Sequence, residues 1–138
     1  GFLRRSVVPA MLAAAVMPAV ASAKPMTTYV KPGGSYAEFK ATADACHLEA
    51  KAARDKVASV PHQPGAANAI AAGAEQGMAR AEAYSTTYDA CFIGRGYVLE
   101  TLSEEDTAAF NKTKKANRDA WVEAYYTRRA AETQAGAN

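Results

Sequence analysis

Two cysteines and two histidines are the whole supply of thiol and imidazole chemistry in this 138-residue chain: Cys46, Cys91, His47 and His62. The Cys-x-x-Cys spacing of metal and redox sites is absent, and these four residues cannot assemble a zinc set or a Cys-His nucleophile pair. The cysteines read instead as one structural disulfide, Cys46 to Cys91, with a thiol pair for metal or redox work as the alternative. Closing so long a loop stabilises a fold by about 4 kcal/mol if the effect is chain entropy. His47 follows Cys46 directly, and Ala43-Asp-Ala-Cys46-His47 is a haem-attachment pattern with its first cysteine replaced by alanine. That keeps a second function in view, a small-ligand or haem carrier using His47. The plainer reading is a helix-surface histidine beside a disulfide, with His62 solvated in a proline-flanked turn. No serine has an elbow motif or a local base. No catalytic residue, metal or cofactor is therefore expected, and the chain does not read as an enzyme.

Aromatic residues give the other chemical signal. Trp121, Tyr125 and Tyr126, together with Tyr84, Tyr88 and Tyr97, exceed what the core of so small a bundle needs. Helical spacing puts most of them inside. A surplus displayed near the C-terminus with Arg129 would form a partner-docking patch, since Trp, Tyr and Arg are favoured in interfaces. Lys112, Lys114, Lys115 and Arg118 suggest an anion-binding cluster at first sight. However, Glu104, Glu105 and Asp106 open the same predicted helix and Arg128 and Arg129 close it, the order that complements a helix dipole. Asn111-Lys112-Thr113 also fits the N-glycosylation sequon.

These residues must be carried by helices. Ser35-x-x-Glu38 is a capping box, in which Glu38 is expected to reach back to the cap. Tyr36, Phe39, Ala43, Cys46, Ala50, Ala53, Val57 and Val60 then recur at three and four, giving an amphipathic helix ended by Pro61. Ala67, Ile70, Ala74, Gly77, Ala81, Tyr84, Tyr88 and Cys91 continue the same alternation in a second helix stopped by Gly94-Arg95-Gly96. Ala69, Gly73, Gly77 and Ala81 within it form a ladder of small residues. A tight turn at residues 61–65 would leave Cys91 about 16 Å past Cys46, too far for a bridge that spans about 6 Å. The expectation is therefore a connector over residues 61–76, with the packed second helix starting near Gly77. Residues 24–34 read as an extended arm, and residues 97–102 as an extended strap with no strand to pair with. Ser103-x-x-Asp106 caps a third helix to about Ala131, with Phe110, Thr113, Asn117, Ala120, Trp121, Ala124 and Tyr125 inward, before a frayed tail at 133–138. The expected fold is all-α: a three-helix domain over residues 35–132, built on a disulfide-stapled helical hairpin, with an extended N-terminal arm.

Residues 1–23 read as a secretory signal peptide: Arg4 and Arg5, an uncharged run, and Ala21-Ser22-Ala23 before the cut. Removing Arg4 and Arg5 from the 16 basic residues leaves 14 against 14 acidic ones. A neutral mature chain lacks the cationic footprint of a nucleic-acid or anionic-membrane binder.

The segment Tyr88-Asp-Ala-Cys91-Phe-Ile-Gly-Arg95-Gly96-Tyr97, with Cys46 upstream and Leu102-Ser103 downstream, resembles small exported bacterial proteins of the glycine-zipper type. The likeness covers residues 43–106, and the chain departs from it where Ala66 to Ala81 is short and charged. It implies an envelope-associated, non-enzymatic protein. Together these readings predict an exported structural or protein-interaction module, periplasmic or extracellular. Its partner would be another envelope or secreted protein, and it would not insert into a membrane after signal cleavage.

Overall fold

The computed structural model describes residues 24–136, so the signal-peptide reading of residues 1–23 lies outside the described residues. Ser35 starts the first helix, α1 (Tyr36–Asp55), by accepting the Glu38 N–H at 3.1 Å. The reciprocal half of the expected capping box is not made. The Glu38 carboxylate turns instead to Lys31 Nζ, 2.8 Å away in the arm, and that neighbouring cation holds its pKa below the ordinary value. Thr42, Cys46 and Ala50 are buried and Phe39, Ala43 and Ala53 half-buried, much as the predicted seam requires. The helix ends at Asp55 rather than at Val60. The intervening Val57, Ser59 and Val60 are weak helix formers, and Pro61 disfavours helical geometry at the residue before it.

The second helix, α2 (Ala66–Gly94), is continuous, and this corrects the expected connector: residues 66–76 are helix. Cys46 and Cys91 are nevertheless bonded, with α-carbons 5.5 Å apart. The conflict between a short hairpin and the bridge disappears because α1 stops early. Its last residue, Asp55, meets Arg80 at 3.4 Å, and α2 runs on past the end of α1 with Ala72 as the one buried residue of its first half. The predicted second seam is therefore half right. Tyr84, Tyr88 and Cys91 are half-buried, whereas Ala67, Ile70, Ala74, Gly77 and Ala81 are exposed.

The arm and the strap pair with each other, which overturns the expectation of an unpaired strap. Strand β1 (Thr27–Val30) lies antiparallel to β2 (Val98–Thr101), with Thr27 opposite Thr101 and Val30 opposite Val98. Leu102 N–H extends the ladder to the Met26 carbonyl at 2.8 Å. Each segment is too short to stand out alone, and each supplies the partner that the other lacked. The ribbon lays Tyr29 flat on Phe92, with ring centroids 4.2 Å apart and planes within 3°. Tyr29, Val30, Cys46, Phe92, Tyr97, Tyr126 and Ala130 form the core.

The expected third helix is two. α3 (Glu104–Lys112), capped by Ser103 accepting the Asp106 N–H at 3.1 Å, ends at Thr113; a 3-10 turn (Lys115–Asn117) then leads into α4 (Arg118–Gly136). A continuous helix would set Lys112 against Lys115 and Lys114 against Arg118, like charges on adjacent turns. At the break, the Thr113 hydroxyl donates to the Ala109 carbonyl at 2.8 Å, and Arg118 Nε covers the freed Thr113 carbonyl at 3.3 Å. The tail is helical to Gly136 rather than frayed from 133. Gly33, at φ 70, donates its N–H to the Ala130 carbonyl at 3.0 Å and lies against the Gln134 side chain. A side chain at Gly33 would be strained by that φ and would strike Gln134.

Candidate functional site

Because the third element is a hairpin, its two arms face each other. Asp106 near the start of α3 meets Arg128 of α4 at 3.3 Å, and the Phe110 ring stands edge-on to Trp121 at 5.4 Å. Trp121 stacks on Tyr125, with centroids 5.4 Å apart and planes 9° apart, one turn further along α4. The Arg118 guanidinium sits 4.9 Å from the Phe110 centroid, and that of Arg128 sits 5.4 Å from Tyr125. Cations over aromatic faces at such distances are attracted by the ring quadrupole. Asp106, Trp121, Ala124, Tyr125 and Arg128 line a shallow hollow of about 220 Å³. Trp121 is half-buried and Arg128 exposed, so the wall of this hollow presents both apolar area and charge-assisted donors.

The four residues expected to form a docking patch divide into two pairs. Trp121 and Tyr125 do come together here, although Tyr125 is largely covered; burial pushes its phenol above the ordinary pKa, with Glu100 adding to the shift and Arg129 opposing it. Tyr126 is corrected to a core residue. It is 1 % exposed, stacks on Phe39 at 4.8 Å, and its hydroxyl accepts the Lys31 N–H at 3.4 Å. Burial pushes its pKa up to about 12. Arg129, only part-buried, is committed to partners within the fold. It donates from Nε to Glu100 at 2.7 Å and also pairs with Glu132, and those hydrogen bonds hold its pKa above the ordinary arginine range. Its work is to fasten β2 to α4. Arg118, Arg128, Asp106 and Phe110 were not expected in the patch. The signal for them was the crowding of like charge from Lys112 to Arg118, which favours a break there and so a cross-hairpin pairing in place of a head-to-tail charge order.

Near Cys46 the arrangement is simpler. The sulfur is bonded to Cys91, so it has no free valence for a thioether to haem. Exposed His47 holds the Tyr84 hydroxyl through Nδ1 at 2.7 Å. Tyr84 in turn stacks on Tyr88 at 5.6 Å, and Tyr88 meets Phe92 at 5.0 Å, a chain of rings leading from the surface into the core. His62 is exposed and contacts only the neighbouring Gln63 carbonyl among the hydrogen bonds of the described residues. No helix of the described residues is long and apolar enough to cross a membrane. No family model, curated protein or solved structure matches the chain.

Proposed function

We propose that this protein is an exported, non-enzymatic interaction module of the cell envelope that docks on another envelope or secreted protein. The docking face is Phe110, Trp121, Tyr125 and Arg128. One observation carries the reading: Trp121 stands partly open on the rim of a hollow that Arg128 also lines, stacked on Tyr125 and edge-on to Phe110. Partly open Trp with adjacent Arg is the composition of interface hot spots. Export is supported by the charge and small-residue pattern of residues 1–23, and by a disulfide of the kind that persists in oxidising compartments. The resemblance around Tyr88 to Tyr97 supports the envelope as the destination. The balanced charge of residues 24–138 weighs against nucleic acid as the partner.

The test is photo-crosslinking in the native host from position 121, with position 48 on exposed Leu48 as the control. A discrete exported partner captured from 121, absent from 48 and weakened by Arg128→Ala, is the expected result. Capture that is equal from both positions, or none from 121, overturns the docking face. Mass spectrometry of the exported chain should find Lys24 first, and an intact apolar segment on the mature protein would contradict a cleaved export signal.

A further inference from the structure

Where α1 ends beside the middle of α2, the surface opens into a hollow of about 560 Å³ lined by Arg54, Gly77, Arg80, Ala81, Tyr84 and Ser85. Two guanidiniums converge there on one oxygen, with Asp55 Oδ1 lying 3.5 Å from Arg54 Nε and 3.4 Å from Arg80 Nη2. That shared oxygen puts both within reach of a single bridging group. Arg80 Nη2 donates to that oxygen only at 3.4 Å, and the Arg54 and Arg80 side chains stay 36 % and 41 % exposed, so each five-donor guanidinium keeps further N–H groups for a second oxyanion beside Asp55. One carboxylate against two guanidiniums also leaves the hollow with net positive charge. Guanidinium forks are matched to carboxylate and phosphate oxygens, and they bind such oxyanions with charge-assisted hydrogen bonds.

The walls fit the body of such a ligand. Tyr84 is steadied by its hydrogen bond to His47, with the Arg54 guanidinium 5.9 Å from its ring centroid, and Ser85 brings a hydroxyl. Gly77, like Gly73 one turn before it, faces open space. It has no left-handed φ, and a Cβ built on it would meet nothing within 4 Å. A mid-helix glycine weakens a helix relative to alanine, and here neither backbone nor packing demands one. What the bare backbone does provide is an open wall.

We infer that this hollow binds a small organic acid or phosphate, whose oxyanion bridges Arg54 and Arg80 while its body rests against Gly77, Ala81 and Tyr84. This site is separate from the docking face on α3 and α4 and does not depend on it.

The experiment follows arginine Nε–H resonances of the labelled, oxidised protein during titration with benzoate, inorganic phosphate and neutral benzamide. Saturable shifts at Arg54 and Arg80 with an anion, and none with benzamide, are expected. Tighter binding of benzoate identifies a carboxylate ligand, and tighter binding of phosphate a phosphorylated one. Arg80→Gln should weaken the response about tenfold. Gly77→Leu, which keeps both charges and crowds the wall beside them, should weaken it without lowering the melting temperature. The inference is overturned by no saturable shift with either anion, by an equal response to benzamide, or by unchanged binding in either variant.

Discussion

The two halves of α2 share one unbroken helix of 29 residues, about 44 Å long, yet they live in different surroundings. The C-terminal half sets Tyr84, Tyr88, Cys91 and Phe92 against α1 and the β ribbon, and Phe92 has no exposed surface. The N-terminal half leaves Ile70 74 % and Met78 76 % exposed, and Gly73 and Gly77 face open space. Both halves carry apolar residues at helical spacing. What separates them is how much stands opposite: α1 stops at Asp55, and in the first half only Ala72 is buried. Apolar periodicity thus specifies a helix and a face, and the length of the neighbouring helix decides whether that face is buried.

The sharpest way to break this contrast is a paired truncation. Phe92→Ala should lower unfolding free energy by about 4 kcal/mol, because it opens a cavity at the centre of the aromatic cluster. Met78→Ala, on the same helix, should stay within about 0.5 kcal/mol of the parent. Urea midpoints measure both, and comparable losses would mean that the first half of α2 is packed after all. Next in size is the staple: Cys91→Ser should lower stability by about 3 kcal/mol, with helical circular dichroism retained because the caps at Ser35 and Ser103 do not depend on the bridge. Collapse of the helical signal at neutral pH would show that the bridge creates the fold rather than tightening it.

A third prediction uses titration within the stapled end. Tyr126 is raised from 10.0 to about 12, so the unfolded chain loses that proton first as the solution becomes alkaline. Its contribution is complete below pH 10 and falls away as pH rises from 10 towards 12, since the native state then binds more protons than the unfolded one. Tyr126→Phe should flatten that decline in a series of denaturant midpoints against pH. An unchanged slope would locate the alkaline sensitivity elsewhere. The smallest effect belongs to the projecting half: Gly73→Ala adds a methyl group into free space, so it should raise the local opening energy by at most about 1 kcal/mol. Amide exchange around residue 73 should slow by about fivefold while the global midpoint holds.

Several features of this molecule could be read directly from local chemistry. The caps at Ser35 and Ser103, the inward run of Ala43, Cys46 and Ala50, and the pairing of Cys46 with Cys91 all depend on near neighbours or on the absence of rival thiols. The misreadings share a different cause. Residues 27–30 and 98–101 become strands only in each other's presence, and the separation between them hides the pairing. The burial of Tyr126 comes from Phe39 of α1 and the Lys31 N–H of the arm, contacts far away in sequence. Arg129 looked available because its partner Glu100 lies on β2, an element the sequence offered only as a strap. The candidate docking face was legible as an excess of rings, but its arginines and Asp106 depend on the hairpin.

Native-state hydrogen exchange of the oxidised protein, resolved residue by residue along α2, tests the division of the molecule most directly. Amides before about Gly77 should exchange rapidly through local fraying, while those from Ala81 to Phe92 should open only near the global unfolding free energy. Uniformly strong protection from Ala66 to Phe92 would contradict it, because a half with Ala72 as its single buried residue could not be held that tightly.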